Sequence, residues 1–217
     1  MIVKKTYKIP YNEINTDAFI KRYHFEGNDR ELIQATLFFV CEMMCVDTAI
    51  SYETDGVVGV ATLGKRYDSL QELTMDGEQL SISYCMECLS MELLSKAYAY
   101  MNETVFEKKG VWLSTYHFLE EYEMTKLAEC DELLHAVDVV WEKGMLKPLK
   151  SVVFRADYTS IREQSDCHDC SQCNNISCSF RKVMEEKRKL NQNVEGRKQQ
   201  VKAYSYGASM IFGGDRT

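Results

Sequence analysis

The sequence predicts an α+β fold, in which helices pack on a mixed or antiparallel sheet and a cysteine-rich loop and a C-terminal helix follow. Three observations lead there. Period-two runs on either side of Asp55 and Gly56 read as a β-hairpin, and a periodic stretch from Asp76 to about Lys108 reads as one long helix. The remaining elements fall as short strands between helices, too closely joined for parallel crossovers.

In chain order, residues 3–10 alternate loosely and predict an edge strand ended by Pro10. Asn28, with Glu31 three residues on, has the form of a helix N-terminus. The apolar Ile33, Leu37, Val40, Cys41, Met44 and Cys45 then recur at three- and four-residue steps. They predict a helix to about Val46 with Cys41 and Cys45 on its buried face. The hairpin covers Thr48 to Gly64. Along the long helix, Leu80, Tyr84, Cys88, Met91 and Leu94 or Ser95 share one stripe, and Gly110 stops it. Residues 111–115 predict a short strand, and about 118–135 an acidic helix whose C-terminal end carries His135, where a histidine suits the helix dipole. Residues 137–141 and 151–156 predict two further strands, joined through Gly144 and Pro148. The expected order is β, α, β, β, α, β, α, β, β. The chain divides into a core, residues 1–158, and a segment, residues 159–217, with the cysteine loop and a basic helix.

Composition narrows the function classes. Of 217 residues, 45% are hydrophobic and only two are proline, which favours regular structure over disorder. No apolar run approaches the ~20 residues of a membrane span. The first residues lack the apolar segment of a secretory signal, so the cytoplasm is the expected compartment. The net charge is -7, yet residues 181–202 carry a local balance of +5. That stretch has no interleaved aromatics for base stacking, so a solvated helix is expected there and not a nucleic-acid surface. No Ser/His/Asp spacing, phosphate loop or His-Glu-x-x-His pattern occurs, which removes the common hydrolytic chemistries.

Nine cysteines cannot all pair internally, and a reducing compartment argues against disulfides. Cys41, Cys45, Cys85, Cys88 and Cys130 lie in apolar, helix-like stretches and read as small core residues. The Cys-x-x-Cys of Cys85 and Cys88 lies inside a helix, away from the strand-to-helix junction that redox pairs use. The other four, Cys167, Cys170, Cys173 and Cys178, crowd into twelve polar residues with spacing Cys-x2-Cys-x2-Cys-x4-Cys. Two-residue gaps let successive thiolates converge on one centre. Four thiolates satisfy tetrahedral zinc or a [4Fe–4S] cluster. Successive two-residue gaps favour the cluster, whereas the four-residue last gap and the following Ser179 depart from the ferredoxin run and keep zinc open.

The segment from Met145 to Val153, followed by Cys170, Cys173, Cys178, Phe180 and Arg181, resembles the C-terminal part of stand-alone proteins related to the activation domain of vitamin B12-dependent methionine synthase. Upstream, Val60-Ala61-Thr62-Leu63-Gly64, then Asp68, then the helix from Asp76 through Glu92 is similar to that family's strand, Thr-Leu-Gly turn and long helix. The resemblance extends from about residue 23 to 181. It implies an α+β domain that docks on a corrinoid-binding methyltransferase, holds S-adenosylmethionine, and helps return cob(II)alamin on its partner to methylcobalamin. The expected function is an accessory or reactivation factor; the alternative is a non-catalytic zinc-binding interaction protein. At the place of the family's S-adenosylmethionine segment, only Tyr116 matches. Residues 113–122 contain no glycine or proline, and Glu120, Glu121 and Glu123 suit the methionine carboxylate poorly, so weak binding is expected.

Overall fold

The computed structural model describes residues 2–77, 79–114, 116–118 and 130–162. Strand β1 (Ile2–Tyr7) is followed by helices α1 (Thr16–Tyr23) and α2 (Arg30–Met43), the hairpin β2 (Val46–Tyr52) and β3 (Gly56–Thr62), and helices α3 (Gly64–Asp76) and α4 (Leu80–Lys109). Then come β4 (Trp112–Leu113), β5 (His117–Phe118), a short helix α5 (Asp131–His135), β6 (Val140–Glu142), β7 (Met145–Lys147) and β8 (Ser151–Thr159). The fold is α+β, and every strand pair described is antiparallel.

The sheet runs β1-β2-β3-β8-β4, with β5 also on β8. Register assigns its faces. Ile50, Gly59 and Phe154 lie opposite one another, and Phe154 meets Tyr98 of α4, so this face is turned to α4. Ala49, Val60 and Val153 are the next set across the pleat and pack against Leu133, Leu134, Val137 and Val139 around α5. Covering both faces explains why β3 reads Gly-Val-Val-Gly-Val-Ala-Thr with six of its seven residues buried. Gly59 has its own cause. A Cβ there would stand 2.3 Å from the tip of the Phe154 ring, so the aromatic occupies the space that a side chain would need.

Helix α4 is buried almost all round in its middle turns, from Cys85 to Val105, and α2 and α3 pack on it. Gly110, with φ +70, closes it in the left-handed conformation, its amide donating to the Phe106 carbonyl.

Several local expectations are corrected. Strand β1 ends at Tyr7, before Pro10, where its pairing with Val46 at the start of β2 ends. The cap position of α2 is Asp29 and not Asn28, because residues 27–29 form a 3-10 turn. Helix α2 stops at Met43, which leaves Cys45 exposed in the link to β2 while Cys41 is buried. The expected stripe on α4 fails in its first turns: Leu80 and Tyr84 are exposed, and Ser83, Cys85 and Met86 are buried instead. Phe118 lies in a strand and not in a helix, drawn there by pairing with Phe154. Helices α1 and α3 are additional to the expected order.

Candidate functional site

The two separated segments that carry the family resemblance meet at one corner of the described fold. Residues 60–68 form the end of β3 and the start of α3; residues 145–153 form β7, the cis Lys147–Pro148 link and the start of β8. The Thr62 and Ser151 hydroxyls, opposite each other in the ladder, are 2.7 Å apart, and the Gly64 amide donates to Thr62 Oγ1 at 3.0 Å. The amide of Leu63 donates to the Lys150 carbonyl at 3.0 Å, and that of Leu149 to Asp68 Oδ2 at 2.6 Å. Gly64 takes φ +76 with open space where a Cβ would stand, the turn that lets α3 start directly off the strand.

Helix α4 contributes Glu87. Its carboxylate accepts from Lys150 Nζ at 2.6 and 2.5 Å and from Gln71 Nε2 at 2.7 Å. Burial opposes ionisation of Glu87, but the hydrogen bonds from Lys150 and Gln71 and the Lys150 charge outweigh it and hold the carboxyl below its ordinary value. The other oxygen of Asp68, Oδ1, is buried without a hydrogen-bond partner. The corner therefore keeps one spare acceptor beside a set of paired charges. Glu87, between Cys85 and Cys88, is not among the residues the sequence singles out. A carboxylate flanked by the buried Cys85, Met86, Cys88 and Leu89 was the available signal.

A carboxylate that is buried sits farther along α4. Glu92 Oε1 accepts from Arg22 Nη1 at 2.5 Å and from the Tyr23 hydroxyl at 3.0 Å, tying α1 to α4.

Tyr116 is buried between the sheet and α4. Its hydroxyl donates to the Tyr98 carbonyl at 3.0 Å, and its ring lies 5.1 Å from Tyr98 and 4.9 Å from Phe154, centre to centre. Both its polar atom and its faces are engaged within the protein. Cys167, Cys170, Cys173 and Cys178 lie outside the described residues, as do Glu120, Glu121 and Glu123.

Of the described cysteines, Cys41, Cys85, Cys88 and Cys130 are buried and Cys45 is exposed. Burial pushes the Cys85 thiol up to about 12 and those of Cys41 and Cys88 to about 11, so they stay protonated and poor as ligands or nucleophiles. Among the described residues no group of three or more His, Cys, Asp or Glu is placed to hold a metal, and no helix is long and apolar enough to cross a membrane. The chain matches no protein-family model and no curated protein sequence.

Proposed function

We propose that the protein is an accessory or reactivation factor for a cobalamin-dependent methyltransferase of the methionine synthase kind, with Cys167, Cys170, Cys173 and Cys178 binding one [4Fe–4S] cluster or zinc ion. The observation that carries this reading is the meeting of residues 60–68 with residues 145–153. Two motifs chosen from the sequence for their likeness to one family are hydrogen-bonded to each other across β3 and β8. The cysteine spacing supports the metal centre, because four cysteines at these gaps within a twelve-residue polar run have the chemistry and spacing of ligands. An iron–sulfur cluster would supply the single electron that reduces cob(II)alamin to cob(I)alamin; the methyl group that then completes methylcobalamin has to come from a methyl donor held by the partner. The corrinoid belongs to the partner.

S-adenosylmethionine does not fit at Tyr116, whose hydroxyl is committed to Tyr98, and no step is assigned to it. The free thiols of Cys41, Cys45, Cys85 and Cys88 agree with action in the cytoplasm, where reducing conditions keep cysteines unpaired. A second reading, a zinc-binding interaction protein without turnover, draws on the four-residue last gap and on Ser179 in the cysteine run.

Anaerobic purification with metal analysis and an absorption spectrum separates the two readings. A brown protein with about four irons per chain that co-elutes with a corrinoid-binding methyltransferase supports the first. A colourless zinc protein supports the second, and a metal-free protein that ignores the corrinoid protein overturns both.

A further inference from the structure

One end of the sheet, beside the C-terminus of α4, holds polar groups that nothing in the described chain satisfies. Tyr52 closes β2 and lies opposite Val57, which lies opposite Ala156 of β8. Two residues on from Ala156, Tyr158 falls on the same face by the alternation of the strand. This is the face turned to α4. The hydroxyl oxygens of Tyr52 and Tyr158 are both buried and both without a hydrogen-bond partner. Buried hydroxyls are rarely left so, since each has given up its water for nothing in return.

Above Tyr52 stand two cations. The ammonium of Lys109 is 5.3 Å from the ring centre and that of Lys108 is 5.9 Å from it. Neither lysine has an ion-pair partner among the described residues. The carboxylates nearby are mostly taken: Arg155 lies 3.0 Å from Glu53 and 3.4 Å from Asp55, and Arg162 pairs with Glu103. Glu107 on the same turn of α4 and Asp157 beside Tyr158 are both exposed.

We propose that Tyr52, Tyr158, Lys108 and Lys109 form a binding site for a small oxyanion, a carboxylate or phosphate group, at this end of the sheet. Two hydroxyl donors and two ammonium groups are what such a group needs, and they lack what it would provide, an acceptor and a countercharge. Burial keeps both phenols protonated: it raises Tyr52, and at Tyr158 it acts first, ahead of Tyr52, Glu53 and Asp55. They are therefore standing donors at neutral pH. The lysines also suit the end of α4, but a helix C-terminus carries only about half a negative charge against their two positive ones, and the dipole leaves the unpartnered hydroxyls unexplained.

The test uses the full chain, titrated with inorganic phosphate and, separately, with acetate, at ionic strength held constant with chloride. Binding is read by calorimetry and by the rise in melting temperature. Three proteins are compared: wild type, Tyr52→Phe/Tyr158→Phe and Lys108→Met/Lys109→Met. The expected result is that one of the two anions binds the wild type, and that each double variant binds it at least about tenfold more weakly, a loss of ~1.4 kcal/mol or more. The phenylalanine variant should also melt above the wild type in anion-free buffer, because it removes two unsatisfied hydroxyls and no contact, which shows that it folds. Which anion binds identifies the group. Equal affinity in all three proteins, or no binding of either anion to the wild type, overturns the site.

Discussion

Lys150 Nζ lies 2.6 and 2.5 Å from the two carboxylate oxygens of Glu87, so a single ion pair fastens the start of β8 to helix α4. Lys150 is largely buried and Glu87 about half exposed, at 19% and 47% of their side-chain surfaces, so solvent screens part of the attraction. Glu87→Gln should cost about 0.5–1 kcal/mol at neutral pH. The sign with pH follows from the lowered Glu87 carboxyl. Its stabilisation is complete above the ordinary value of 4.5 and is lost as the pH falls through the lower folded-state value. Urea unfolding of both proteins across that range should show two stability curves that separate at neutral pH and converge in acid.

Arg22 and Glu92 should respond unequally to replacement. Glu92 is 9% exposed at its side chain and Arg22 is 38% exposed. When the carboxylate is removed, the guanidinium can turn to water and the Tyr23 hydroxyl loses one acceptor; when the guanidinium is removed, a buried charge stays behind, which costs more. Arg22→Met should therefore cost about 3 kcal/mol and Glu92→Leu clearly less. Chemical denaturation of the two variants checks this, and equal losses would mean that the partners are equally hydrated.

Gly59 and Phe154 form a coupled pair. The 2.3 Å approach leaves no room for a methyl group, so Gly59→Ala should cost about 1–3 kcal/mol by displacing the ring. Adding Phe154→Leu should recover part of that loss, making the double variant more stable than additivity allows.

What the sequence discloses and what it hides follow from where each element gets its stability. The turn after β2 and the end of α4 were legible because Asp55, Gly56 and Gly110 are local signals, effective within a few residues. Helix α3 was not. Only Tyr67 and Thr74 of its thirteen residues are buried, while Leu73 and Met75 face outward, so its apolar positions have no helical period to read. Helix α1 did carry a signal, since the Asn15 side chain accepts from the Ala18 amide at 2.9 Å as a cap should, but its eight residues bury only Phe19 and Tyr23. Strand β5 was illegible for another reason: two residues are held by β8, far away in sequence. The candidate corner behaved the same way. Both of its segments could be picked out, but their contact, and the part played by Glu87, depend on the folded chain.

The metal assignment separates two kinds of cysteine. Cys173→Ala should lower bound iron or zinc sharply, whereas Cys88→Ala should leave it unchanged, because the Cys88 thiol is raised to about 11, first by burial, and stays protonated at neutral pH. Metal analysis of anaerobically purified proteins decides it, and equal metal content in both variants would remove the assignment.

S-adenosylmethionine binding is where the family resemblance and the folded chain pull apart. The resemblance places a ligand segment near Thr115 with Tyr116 as its matching residue. In the fold, Tyr116 is 8% exposed and its hydroxyl donates to the Tyr98 carbonyl, so freeing it for a ligand breaks a buried hydrogen bond and opens the aromatic cluster around Phe154. The backbone next to it is engaged as well, because His117 and Phe118 pair with Arg155 and Phe154 of β8. A ligand that relies on close backbone approach has nothing to approach at those two residues. A cationic sulfonium would be drawn to acidic side chains, but its carboxylate end would be repelled by the same groups. The expected dissociation constant is therefore weaker than ~1 mM, a binding free energy less favourable than about -4 kcal/mol. Isothermal titration measures it directly. A value in the low micromolar range would mean that S-adenosylmethionine is held by residues other than Tyr116, and Tyr116→Phe, which keeps the ring packing, would then leave that affinity intact.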